Sequence, residues 1–204
     1  DEARLEAYAA LTALVPQTAC YAVPSHVLAA ISQVKTPQGV AAVCAMPPSP
    51  APEEMGNRLI LLENVQDPGN VGTVLRTLDA AGFDGCILTP GCADPFGPKA
   101  LRATMGSVFR VPVCSVWNTV ETVQALNARG YATLAAALDG ENFYRRAPLP
   151  ARLCVLIGNE GAGLTKQAQD ACTHRFRLPM RGGAESLNAA VAAAVMMYDL
   201  INRE

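Results

Sequence analysis

The strongest constraint on this chain is an alternation that begins at Arg58 and continues to the C-terminus. Short apolar runs with strand character end in glycine or small polar residues. Between them lie segments with apolar residues at helical spacing. The strand-like runs are Arg58–Leu62, Cys86–Thr89, Val111–Val116, Ala132–Leu138, Leu153–Ile157 and Arg175–Leu178. Helices are predicted over Val71–Ala81, Pro98–Met105, Val120–Arg129, Thr165–Ala171 and Ser186–Ile201. This βαβα order calls for an α/β fold, a parallel sheet with helices on both faces. In such sheets ligands bind beyond the carboxyl ends of the strands.

Upstream, residues 1–14 and 24–34 have helical spacing, through Leu5, Tyr8, Ala9, Leu11 and Leu14, then Val27, Leu28 and Ile31. Gly39–Ala45 is a strand candidate. The run P-P-S-P-A-P-E-E at 47–54 suits an extended, semi-rigid linker. The expected organisation is a partial small α/β domain over 1–46, a Pro-rich linker over 47–56 and the main domain over 57–204. A segment as short as the first is marginal for an independent core.

Half of the residues are hydrophobic and 17% are charged, so a buried core is feasible. The net charge of −2 argues against nucleic-acid binding across the whole surface but leaves room for local arginine patches. The apolar stretch Ala189–Met197 is too short to span a bilayer, so no membrane association is expected. The opening D-E-A-R is charged and lacks Met, as expected of a processed or shortened chain rather than a secretory signal. Seven cysteines without a C-x-x-C pair read as free thiols of a cytoplasmic protein, not as disulfides or a metal site. With His26 and His174 as the only histidines, neither a His-based metal centre nor a Ser-His-Asp triad is supported. No G-x-G-x-x-G, G-x-x-x-x-G-K-[ST] or G-x-S-x-G signature is present.

Three polar breaks carry the chemistry: E-N-V-Q-D-P-G-N-V-G-T-V-L-R at 63–76, L-I-G-N-E-G-A-G at 156–163 and L-P-M-R-G-G-A-E-S-L-N at 178–188. In this order they resemble the signature motifs of the SpoU/TrmH family of the SPOUT superfamily. The segment R-A-T-M-G-S-V-F-R-V-P-V at 102–113 resembles the family's connecting segment, and the likeness extends over about 57–204. Residues 23–44 resemble the tail of an L30e-like substrate-binding domain.

The resemblance implies S-adenosylmethionine-dependent methylation of a ribose 2′-hydroxyl in structured RNA, rRNA rather than tRNA, with S-adenosylhomocysteine as product. It also implies a deep C-terminal trefoil knot, a homodimer and no metal. Gly158, Leu178 and Leu187 match cofactor-contacting positions, and Ile157 and Met180 are candidates for the same pocket. Asn70, Arg76, Glu160, Ser186 and Asn188 match the catalytic polar positions, with Asn188 also able to bond the cofactor or Asn70. Arg76 is expected to clamp an RNA phosphate and stabilise the developing alkoxide. A guanidinium stays protonated at neutral pH and makes a poor general base. Glu160 is expected to orient Arg76 or bond the ribose, Ser186 to cap the last helix, and Asn64 to brace the first loop. Arg102, Arg110, Arg145 and Arg146, with Lys99 and Arg181, are candidate RNA contacts. The alternatives are a knotted RNA-binding protein without turnover and a SPOUT enzyme that methylates bases.

Overall fold

A computed structural model describes residues 1–16, 19–32 and 36–203. The chain divides into two compact units, Asp1–Met46 and Pro47–Glu204.

The larger unit is built on six strands: β1 (Arg58–Leu62), β2 (Gly85–Leu88), β3 (Val113–Ser115), β4 (Ala132–Asn142), β5 (Leu153–Ile157) and β6 (His174–Arg177). They form one sheet in the order β3-β2-β1-β5-β4-β6, with every pairing parallel. All carboxyl ends therefore lie along one edge. β1 sits near the centre, where Leu59 to Leu62 are fully buried. Successive strand residues face opposite sides. Ile60, Leu62 and Val155 join the core that includes Val74 and Leu78 of α3 (Pro68–Ala81) and Met196 and Met197 of α7 (Ala189–Asn202). Leu59, Leu61 and Leu156 join the other core, with Val123 and Leu126 of α5 (Thr119–Ala128). Helices thus cover both faces, as the sequence pattern requires. α4 (Pro98–Ala103) packs against α3 at Gly72, where an added Cβ would lie 2.5 Å from Ala103 Cβ and 2.6 Å from the Ala100 carbonyl oxygen. α6 (Lys166–Ala171) follows the β5 loop.

Several boundaries depart from the sequence expectation. α3 begins at Pro68, because the Asp67 carboxylate accepts from the Asn70 backbone N–H and proline suits the first helical position. β4 continues past Leu138 to Asn142 by pairing with β6 through a register shift between Ala136 and Glu141. The last helix begins at Ala189 rather than Ser186, and Asn188, not Ser186, is its N-cap. The Asn188 Oδ1 accepts from the N–H groups of Ala190 (2.9 Å) and Val191 (3.3 Å).

In the smaller unit the helix expected over 1–14 is broken into 3₁₀ turns at Glu2–Arg4 and Glu6–Tyr8 and a short α1 (Ala9–Thr12). α2 spans Ser25–Ile31, and the rest of its expected range reaches residues 33–34, outside the described residues. Gly39–Ala45 forms no strand. The cause is lack of packing. Among the described residues of this unit Leu28 is the one buried hydrophobic residue, while Leu5, Leu11 and Leu14 stay exposed. Helices this short are marginal without an apolar face to bury.

Candidate active site

The loops after β1 and β5 hold each other. At the start of the β5 loop, Gly158 lies against the returning chain. A Cβ there would meet Gly163 C and Leu164 N at 2.2 Å, so no side chain fits. Asn159 closes the loop by an antiparallel bridge to Gly163. Its Oδ1 accepts from the N–H groups of Gly161 (3.0 Å) and Ala162 (2.9 Å), and its Nδ2 donates to the Asn64 carbonyl at 2.9 Å. Asn64 itself has φ 54°, a left-handed conformation that asparagine tolerates at turns. Its Oδ1 accepts from Gln66 Nε2, and its backbone N–H donates to Thr89 Oγ1.

From this frame a polar chain joins all three sequence motifs. The Glu160 carboxylate accepts from the backbone N–H groups of Gln66 (3.2 Å) and Asp67 (3.1 Å) and from Asn70 Nδ2 (2.9 Å). Asn70 Oδ1 in turn accepts from Asn188 Nδ2 at 3.0 Å. Partial burial pushes the Glu160 carboxyl up. Hydrogen bonds from Asn70 and from the backbone of 160, 67 and 66 outweigh burial and hold it below its ordinary 4.5. Glu160 thus braces the first loop, and no hydrogen bond joins it to Arg76 among the described residues. Arg76 is exposed and makes no hydrogen bond or ion pair among the described residues.

Beside this chain lies a cavity of about 490 Å³, within the usual range of small-molecule sites. Ile157, Gly158, Leu178, Met180 and Leu187 all line it, as do Glu160 and Ser186. Its walls are largely apolar, with Phe176, Ala189, Ala192 and Met196 behind the strand ends. The Gly158–Gly163 backbone forms one side. Asn70, Arg76 and Asn188 are outside the lining. The sequence reading missed Ala136 to Asp139 at the carboxyl-end stretch of β4, and Lys166, Gln169 and Arg177. The signal for the first was present: A-A-A-L-D-G leaves an apolar strand with small residues, as the other two pocket strands do. Ser186 is exposed and makes no hydrogen bond among the described residues.

The candidate RNA-binding arginines divide into free and engaged. Arg102, Arg145 and Arg181 are exposed and unpaired among the described residues. Arg110 is engaged by Asp79, its Nε and Nη2 donating to Oδ2 at 3.0 and 2.6 Å. Lys99 pairs with Asp67 at 3.1 Å. Arg146 corrects the expectation outright. Its side chain is 5% exposed, its Nη1 donates to Asp199 Oδ1 at 2.5 Å, and its guanidinium stacks 4.0 Å from the Phe143 ring centroid. It ties the Phe143–Arg145 turn to α7, with its guanidinium engaged inside the protein.

Residues 57–198 match the family model described as the SpoU rRNA methylase family. The chain belongs to that family. A Bacillus subtilis relative, named 23S rRNA (guanosine(2553)-2′-O)-methyltransferase RlmP, is 39% identical over 181 residues, covering 89% of this chain and 72% of that protein. A Staphylococcus haemolyticus protein named for the TrmH family of tRNA/rRNA methyltransferases is 34% identical over 145 residues. That match covers 71% of this chain and 58% of the relative, so the chain spans little more than half of that protein's length. Among solved structures, a TrmH-family protein from Porphyromonas gingivalis superposes with a TM-score of 0.79 at 38% identity, covering 85% of this chain and 70% of that one. The SpoU methyltransferase AviRb from Streptomyces viridochromogenes, solved with AdoMet, gives 0.69 at 30% identity, covering 76% and 62%.

The cavity's apolar walls suit the faces of a purine, and backbone groups at the 158–163 loop and the strand ends can read its edge. The residues present therefore fit an S-adenosyl cofactor. No group of three or more His, Cys, Asp or Glu side chains among the described residues is placed to hold a metal ion. No helix of the described residues is long and apolar enough to cross a membrane.

Proposed function

We propose that this protein transfers a methyl group from S-adenosylmethionine to a ribose 2′-hydroxyl of structured RNA, with rRNA as the favoured substrate. The observation that carries the reading is the hydrogen-bonded chain Glu160–Asn70–Asn188 beside a largely apolar cavity of about 490 Å³. The names of the Bacillus and Streptomyces relatives support it.

Gly158, Ile157, Leu178, Met180 and Leu187 would hold the cofactor. When bound, S-adenosylmethionine supplies the methyl group and leaves as S-adenosylhomocysteine. The protein's part is placement, which contributes much of the acceleration in such reactions. Asn70 and Asn188 have their amides fixed by mutual bonding and by Glu160, which pre-organises the loop that faces the ribose. Arg76, unpaired, is free to clamp a phosphate and to stabilise negative charge growing on O2′ as the hydroxyl proton leaves. Ser186 stands at the cavity rim as a candidate contact to either substrate. Arg102, Arg145 and Arg181 extend the cationic surface, whereas Arg110 contributes only if it leaves Asp79.

The segment after β6 is taken to thread a trefoil knot. A homodimer is supported by exposed apolar side chains on and beside α7, namely Leu187, Val191 and Tyr198. Residues 1–46 are taken as the tail of an L30e-like RNA-binding domain, 47–56 as linker and 57–204 as the methyltransferase domain. The protein is assigned to the cytoplasm.

The test is methyl transfer from labelled S-adenosylmethionine to ribosomal RNA, followed by nucleoside analysis. A 2′-O-methylated nucleoside is expected. A methyl group on a base, or cofactor binding without transfer, would refute the reading in favour of one of its two rivals.

A further inference from the structure

A second carboxylate, outside the Glu160–Asn70–Asn188 chain, lies at the seam between the same two loops. Glu63 directly follows β1, and its backbone N–H donates to the Ile157 carbonyl at 2.8 Å. It is only 7% exposed, and both carboxylate oxygens are used by one residue. The Thr165 N–H donates to Oε2 at 2.7 Å, and the Thr165 hydroxyl donates to Oε1 at 3.0 Å. Thr165 is the N-cap of α6, its Oγ1 accepting from the Ala168 N–H at 3.2 Å. Its neighbours Leu164 and Lys166 line the cavity, as does Gln169, whose Nε2 donates to the Leu164 carbonyl at 2.9 Å. The 158–164 loop is thus held at its start by β5 and at its end by Glu63.

Burying a carboxylate is unfavourable unless its oxygens are hydrogen-bonded, and this one spends both on the place where the cavity wall turns into α6. We propose that Glu63 is a positioning residue for the cofactor. By holding Thr165 it sets the position of the far wall of the cavity. The inference rests on reading that cavity as the S-adenosyl site. What matters in this role is reach, not charge. Glutamine keeps the length and an acceptor for the Thr165 N–H, and its amide can donate to Thr165 Oγ1. Aspartate keeps the charge but is one methylene shorter, which leaves the Thr165 N–H without its acceptor.

The test compares the full chain with its Glu63→Gln and Glu63→Asp variants, at a temperature where circular dichroism finds all three folded. Calorimetry gives Kd for S-adenosylhomocysteine, and steady-state assays give KM and kcat. Glu63→Asp is expected to raise that Kd, and KM for S-adenosylmethionine, by about tenfold. Its kcat at saturating cofactor and its KM for RNA should stay within about threefold of the parent. Glu63→Gln should keep cofactor Kd within about threefold. Parental cofactor affinity in Glu63→Asp, or equal weakening in both variants, overturns the proposal, the latter by assigning the role to charge. A fall in melting temperature without a change in Kd overturns it too, in favour of a purely structural role. If the parent methylates ribose while Glu63→Asp matches it, only the clamp is lost. If the parent binds no S-adenosyl cofactor, the reading of the cavity falls and the clamp with it.

Discussion

Residues 63–70 and 158–165 are bound to each other by side chains and backbone, whereas Pro179–Leu187 make no hydrogen bond among the described residues. The contrast is sharp in exposure as well. Glu63 and Gly158 are buried, while every residue from Arg181 to Asn188 is exposed. Gly158 to Leu164 of the first region and Met180, Ser186 and Leu187 of the second line one cavity. The first is pre-organised by the fold, so it can present donors and a close-packed backbone without reordering. The second carries Leu187, an apolar side chain left 38% exposed, which gains burial only when something fills the cavity or covers the surface. Order in the first region is a property of the chain. Order in the second depends on what binds.

The most damaging change to the pre-organised side is Gly158→Ala. Its Cβ would fall 2.2 Å from backbone atoms of Gly163 and Leu164, and backbone cannot rotate away as a side chain can. A loss of about 3 kcal/mol in urea denaturation is expected, with cofactor affinity lost as well. If stability and affinity are unchanged, the loop is softer than its bonding indicates. Next in size is Asn70→Ala. It removes the link between Glu160 and Asn188 but leaves each with backbone partners. A drop of about tenfold in kcat/KM for RNA is expected in methyl-transfer assays, with little change in melting temperature.

These residues also show what could be read from the sequence. β5 matches its expected range, Leu153–Ile157, residue for residue, because a continuous apolar run bounded by polar residues leaves no ambiguity. The cavity-lining Gly158, Leu178 and Leu187 are the positions that the motifs' resemblance to the family implies. Glu63 and Asn159 escaped notice because their roles are set by partners far along the chain, Thr165 and Asn64, and no local pattern encodes them. Arg146 misled for the same reason. Asp199, which neutralises it, lies far along the chain on α7. The sequence expectation for the cap of the last helix is Ser186, in the S-L-N run. The structure selects Asn188, whose Oδ1 caps α7 while its Nδ2 reaches Asn70, and a serine hydroxyl could not serve both partners at that reach.

On the unbound side, trypsin should cut the free protein after Arg181, which is exposed in a segment without hydrogen bonds. Saturating S-adenosylhomocysteine is expected to slow that cleavage by about tenfold, since a ligand that binds only the ordered form shifts the population towards it. Amide exchange at 63–70 should barely respond to the same ligand. Equal protection of both regions would mean that the first was not pre-organised.

The smallest effect concerns the proton on Glu160. Its folded carboxyl titrates below the ordinary 4.5, so the unfolded chain binds its proton first as pH falls. The stabilisation is therefore complete above the unfolded value and disappears as pH drops through the folded one. Glu160 is exposed, so solvent screening keeps the gain small. Melting curves of the parent and Glu160→Gln should differ by a constant, small amount near neutral pH. The two should converge below 4.5, once the parent carboxyl is itself neutral. Convergence well above that value would mean that burial outweighs the donors from Asn70, Gln66 and Asp67. The seam between the two loops would then be held by Glu63 and Asn159 rather than by Glu160.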